Sequence, residues 1–175
     1  MTAKNDVPGG GMSETPVSGE WQVGETILDR YEVVLELGVG GMGKVLKVHD
    51  RYWDMDFAVK NPRASSFQTD TQKENFLREC HNWMDLGLHN HIVTCHYVRV
   101  LGGIPRVFAE YVDGGNLKDW IDDGRLYADG TDKALELILD IAIQFAMGLQ
   151  HAHDMGLIHQ DVKPANVMMT AVGTV

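Results

Sequence analysis

Cysteine is scarce: the 175 residues contain only Cys80 and Cys95, at no spacing of a disulfide framework. That excludes a stapled fold and reads as two free thiols in a reducing, cytoplasmic compartment. Positive charge is scarce too. Fifteen Lys and Arg stand against 25 Asp and Glu, the net charge is -10, and no basic run occurs. Bulk electrostatics therefore argue against nucleic acid as a partner. No apolar stretch approaches the roughly 18 residues that a membrane span needs, so the chain shown carries no membrane segment. Lys4 is followed by no apolar stretch, so the start is not a secretory signal. What is present is a hydrophobic fraction of 44%, which suits a globular core. In so acidic a chain, an anionic ligand has to be met by cations placed one at a time.

Residues 1–26 are rich in Gly, Ser, Thr and Pro, and read as a flexible leader, with order expected from Ile27. Tyr31, Val33, Leu35 and Leu37 alternate with Glu32, Val34 and Glu36 as in a strand. Val45, Leu46 and Val48 form a second strand after a glycine turn, and Phe57-Ala58-Val59-Lys60 a third. Asp70 to Leu86 is helical, with Phe76, Leu77, Cys80, Trp83 and Met84 near one face. His91 to Val100 and Arg106 to Tyr111 read as two more strands joined at Gly102-Gly103. After Val112 the pattern turns helical. Asn116 to Ile121 is a short helix. Thr131 is the expected N-cap of a long helix to Asp154, with Leu135, Ile138, Ala142, Phe145 and Leu149 at three- and four-residue steps. Leu157-Ile158-His159 and Val167-Met168-Met169 are expected as short strands around a loop. The expected fold is α+β, an antiparallel β lobe over 27–111 with one inserted helix, then the start of an α lobe over 112–175.

Gly38-Val39-Gly40-Gly41-Met42-Gly43 fits G-x-G-x-x-G. A dinucleotide-binding turn would need a helix after the last glycine; Lys44 to Val48 favour a strand. The loop is then a hairpin whose glycines let backbone N–H groups approach phosphate oxygens. Read alone, it is equally a flexible hairpin tip. Lys60 ends an apolar strand, where it can place one cation over bound phosphates. Glu79 is read on the face of the next helix that carries Phe76 and Trp83, pointing toward the sheet, and Lys60 is its nearest expected partner.

His159-Gln160-Asp161-Val162-Lys163-Pro164-Ala165-Asn166 is the most specific segment. It supplies a carboxylate, a cation two residues on and an amide five residues on. Phosphoryl transfer needs these three parts. Asp161 can orient a hydroxyl and accept its proton, Lys163 can neutralise the moving phosphoryl, and Asn166 can ligate magnesium. Pro164 holds Lys163 in extended geometry.

From Tyr31 onward the chain resembles the protein kinase family, and within it bacterial serine/threonine kinases of the eukaryotic-like type. Gly38, Gly40 and Gly43 resemble the glycine-rich loop. Phe57 to Lys60 resemble the V-A-I-K strand, Glu79 the glutamate of the inserted helix, and His159 to Asn166 the H-R-D-x-x-x-x-N loop. Glu110 to Gly115 look like the hinge between lobes. The resemblance implies ATP and Mg2+ as cofactors and a protein substrate with a Ser or Thr hydroxyl. It implies Asp161, Lys163, Lys60 and Glu79 as catalytic residues and Asn166 as a metal ligand. Nucleotide contacts would come from Leu37, Gly38, Gly40, Gly41, Gly43 and Lys60. Adenine would lie between Val45, Ala58 and Met168, against the backbone of Glu110 and Val112. Lys163 favours a serine/threonine over a tyrosine kinase, and over small-molecule phosphotransferases.

Three departures carry expectations. Gln160 stands where the family often has an arginine that receives a phosphorylated loop; glutamine cannot form that bidentate pair. Ala109, before the hinge glutamate, is small and implies extra depth behind adenine. No Asp-Phe-Gly follows Asn166 before Val175, so this stretch is expected to transfer phosphate slowly or not at all and to leave the long helix's apolar face exposed. A nucleotide-binding scaffold without turnover is the alternative reading. Cys80, His81, His89, His91, Cys95 and His96 fit no common zinc spacing.

Overall fold

Alternating apolar residues make strands here, and the strands pair into one sheet. The computed structural model describes residues 19–175. Six strands, β1 (Thr26–Ile27), β2 (Tyr31–Gly40), β3 (Gly43–Asp50), β4 (Met55–Pro62), β5 (Cys95–Leu101) and β6 (Ile104–Glu110), lie in the order β1-β2-β3-β4-β6-β5. Every neighbouring pair is antiparallel. Helix α1 (Asp70–Met84) is inserted between β4 and β5; α2 (Leu117–Asp122) and α3 (Thr131–Asp154) follow the sheet. The expected α+β order, a β lobe followed by the start of an α lobe, is what the structure shows.

The outer face of the sheet is its core. Tyr31, Val33, Leu46, Val48, Phe57, Val59 and Phe108 are buried together there. Trp21 completes this cluster. It is fully buried, its ring stacks 6.1 Å from Tyr31, and the Arg106 guanidinium sits 4.6 Å above it. Arg106 is itself buried and donates to Asn61 Oδ1 at 2.7 Å, to Gly19 O at 2.8 Å and to Leu101 O. Burial pushes its pKa down to about 10, which leaves it charged at neutral pH. The expected flexible leader over 1–26 is therefore corrected: residues 19–26 belong to the folded body, held by a buried indole. Residues 1–18 lie outside the described residues.

Other boundaries shift by a few residues. In β2 the alternation breaks between Val33 and Leu35 and again between Glu36 and Gly38. Each irregularity turns the following residues to the other face. Tyr31 and Val33 are thus buried, whereas Leu35 and Leu37 are exposed. Helix α1 stops at Met84 rather than Leu86, and β5 begins at Cys95 rather than His91. Gly130, not Thr131, is the N-cap of α3; Thr131 is its first helical residue. Neither flank of the segment 159–166 is a strand: Met168 makes one isolated bridge to Asn116, and residues 157–159 make none. On α3 the apolar face expected to lack cover is open at its start, and another set of residues packs. Ala134, Ile141, Gln144, Gly148 and Ala152 are buried, while Leu135 and Ile138 face solvent.

Two joints tie the lobes. At the hinge, Gly114 N donates to Met169 O and Met169 N to Gly115 O, both at 2.9 Å. Behind it, the α1–β5 connection rests on α3: the His151 ring stacks on His89 at 4.5 Å, and Gly148 leaves room for the carbonyl of His91.

Candidate active site

The strand register places the upper half of the site. Gly38 pairs with Val45, Val45 with Lys60, and Lys60 with Val107. Directly paired residues share a face, so these four form one row across the sheet. Two residues along lies the next row, Lys47, Ala58 and Ala109. This face is opposite to the buried Leu46, Val59 and Phe108. Its far end is covered by α1, where Phe76 and Cys80 pack on Cys95 and Val107.

The glycine hairpin turns at Gly41-Met42. A Cβ at Gly38 or Gly41 would meet nothing within 4 Å, and neither residue has a positive φ. The fold itself does not demand glycine at these positions. Bare backbone open to an incoming group is what remains to explain them. Gly43 is the opposite case, since a Cβ there would lie 2.4 Å from Asn61 O.

Lys60 is half-buried, its ammonium 5.4 Å from the centroid of the Phe76 ring. Among the described residues no ion pair joins it to Glu79, which is exposed. The expected pairing is not formed in this structure. The reason is helical phase. The packed stripe of α1 centres between Phe76 and Cys80, and Glu79 sits about 80° round from that centre. Lys47, which the sequence reading passed over, shares the row of Ala58. Its ammonium is held by Asp56 at 2.8 Å and lies 4.2 Å from the Tyr111 ring at the hinge. The hydrogen bond from Lys47 to Asp56 raises the lysine's pKa. Its signal was available: Val45 and Lys47 are two apart on one strand.

At the hinge, Glu110 N donates to Thr94 O at 2.9 Å, while its side chain accepts from Thr94 N. Val112 makes no hydrogen bond among the described residues, which leaves its N–H and C=O available. Met168 is half-buried beside Asn116, between buried Val167 and Met169.

The lower half is the turn after α3. Asp161 accepts Lys163 Nζ at 2.8 Å and Asn166 Nδ2 at 2.9 Å on the same oxygen, Oδ2. Asn166 Nδ2 also donates to Asp161 O at 2.8 Å. The hydrogen bonds from Lys163 and Asn166 hold the Asp161 carboxyl below its usual pKa. Gln160 takes a left-handed φ of 61°, unusual for a residue with a side chain. Because the Asn166 NH2 faces Asp161, its amide oxygen is the hard donor left for a cation. Among the described residues no group of three His, Cys, Asp or Glu could hold a metal ion. Cys80 and Cys95 are free and buried, and burial pushes their thiols to about 11 and about 12. Both stay protonated and unreactive at neutral pH.

The protein kinase domain family matches residues 31–175. The chain belongs to the protein kinase family. This kinase domain is 34% identical over 155 residues to a probable serine/threonine-protein kinase PknB of Lactococcus lactis, covering 88% of the chain and 24% of that relative. It is 34% identical over 154 residues to a serine/threonine-protein kinase PknB of Mycobacterium leprae, covering 84% and 23%. A probable serine/threonine-protein kinase of Streptomyces coelicolor is also 34% identical, over 151 residues. The chain thus spans about a quarter of the length of these curated relatives. Among the described residues, no helix of the kinase domain is long and apolar enough to cross a membrane.

Proposed function

We propose that this kinase domain binds ATP with magnesium and serves transfer of the γ-phosphoryl group to a Ser or Thr hydroxyl of a protein. The observation that carries the reading is the row Gly38, Val45, Lys60, beneath glycines that the fold leaves bare. Adenine lies against Val45, Ala58 and Met168, with Leu37 at its edge and the backbone of Glu110 and Val112 at its rim. The N–H groups around Gly38, Gly40, Gly41 and Gly43 face the phosphates, and Lys60 neutralises them. Asp161, kept ionised, orients the hydroxyl and takes its proton; Lys163 offsets charge on the moving group. Magnesium, when bound, would be held by the amide oxygen of Asn166 together with phosphate oxygens, and supplies charge neutralisation. Glu79 reaches Lys60 only after α1 moves.

A second reading, nucleotide binding without turnover, draws support from the unpaired Glu79. The test of the first is a thermal melt with and without Mg-ATP. Ligand at 100 times its Kd stabilises by about 2.7 kcal/mol. The wild-type melting temperature therefore rises, and that of Lys60→Ala does not. A wild-type melt indifferent to Mg-ATP refutes both readings. A nucleotide shift with no label transferred from γ-labelled ATP to a protein acceptor selects the second.

A further inference from the structure

Met42, at the tip of the glycine hairpin, gives its carbonyl oxygen to two donors on the connection between β4 and α1. Arg63 N reaches it at 2.9 Å and Ser66 Oγ at 2.9 Å. A carbonyl has two lone pairs, so both bonds can be made together. The same connection backs the next residue: a Cβ at Gly43 would lie 2.7 Å from Pro62 Cα. The β3–β4 ladder ends there, at the pair Gly43 and Pro62, and proline has no N–H to extend it. Beyond that pair the tip is held from behind by one main-chain bond and by one side-chain bond, the Ser66 hydroxyl. On its other side Gly38 and Gly41 are open.

A trans peptide points its C=O and N–H in opposite directions. Fixing the Met42 carbonyl therefore fixes the direction of the Gly43 N–H. A loop whose peptide planes are set before the ligand arrives loses less freedom on binding it. We infer that Ser66 is a positioning residue for the glycine hairpin, its hydroxyl setting the tip for the phosphates of a nucleoside polyphosphate. This rests on the nucleotide-binding reading above. Ser66 touches no ligand; it acts through Met42.

A residue that served only the fold would affect every ligand of the cleft alike. A positioning residue of the phosphate loop separates a nucleotide from its nucleoside. The experiment measures Kd for Mg-ATP and for adenosine by calorimetry on the 175-residue chain, on Ser66→Ala and on Ser66→Thr, with a melt of each variant. Ser66→Ala is expected to weaken Mg-ATP about 3- to 10-fold, the range of one lost hydrogen bond, and to leave adenosine unchanged. Ser66→Thr, which keeps the hydroxyl, restores Mg-ATP affinity. Equal weakening of both ligands, or of neither, overturns the role of Ser66 while the nucleotide reading stands. A wild-type chain that binds neither ligand overturns both.

Discussion

Asp161 receives a cation and an amide on one carboxylate oxygen, and its charge state follows from them. Both contacts favour the ionised form, so its native pKa lies below that of an unfolded aspartate. Lys163→Ala removes the larger contact, and the Asp161 midpoint should rise toward the ordinary carboxylate value. A carboxyl-carbon NMR titration checks this; a midpoint that stays put would show that Lys163 does not set it. If Asp161 is the base, the acid limb of any transfer rate moves to higher pH in the same variant. Ala109 invites a different test. It is buried between Ala58 and Cys95 in the pairing, three small side chains in one row. Ala109→Met is expected to weaken binding of bulky N6-substituted ATP analogues at least about tenfold, a cost of overpacking, while sparing ATP. Equal analogue affinity in both proteins would place the adenine edge elsewhere. The grouping of Asp161, Lys163 and Asn166 was legible because the three are close in sequence; the bonds among them were not. The Glu79 geometry was not, because one residue of helical phase separates the packed stripe from its flank. Ser66 was not either: its contact spans 24 residues, and a loop serine carries no pattern.

At the scale of elements, the five longer strands and the three α-helices were legible in order, since hydrophobic period and glycine turns mark them; β1 was not read, and the two short strands expected around 159–166 are absent. The breaks were not legible. Period-2 alternation predicts that Leu35 and Leu37 follow Val33 inward, and it cannot foresee the irregularities that turn β2 over at the glycine hairpin. Helix α3 was legible to its end, and so was the exposure of Leu135 and Ile138 on its apolar face; which residues it buries instead was not. It is apolar on more than one side, and which side is covered depends on its neighbours. Gly148 lies on the covered side. In an exposed helix, Gly→Ala stabilises by about 1 kcal/mol. Here the added Cβ would fall against the His91 carbonyl, a backbone atom that cannot swing aside. Gly148→Ala is therefore expected to destabilise, by about 1–3 kcal/mol, as overpacking at the rear joint between the lobes. Urea unfolding gives the sign; a gain in stability would show that the α1–β5 connection is free to lift from α3.

For the molecule as a whole, the uncovered side of α3 dominates the surface. Leu135, Ile138, Leu139, Ile143 and Met147 form a continuous stripe at helical spacing, and Ile143 is 60% exposed. Contiguous apolar surface of this kind drives association. The 175-residue chain should self-associate with rising concentration in sedimentation experiments, and Leu139→Glu combined with Ile143→Lys should suppress it. A wild-type chain that stays monomeric at high concentration would refute this. The upper lobe differs in having its core closed, and Trp21 is part of the closure. The match to the protein kinase domain family starts at Tyr31, whereas the folded body starts earlier. A chain begun at Tyr31 would strip the indole from above the Arg106 guanidinium and remove the Gly19 carbonyl that it donates to. Arg106 would then carry an under-partnered charge into the core, at a cost of a few kcal/mol. The stretch that the family match spans is shorter than the stretch this fold needs in order to stand.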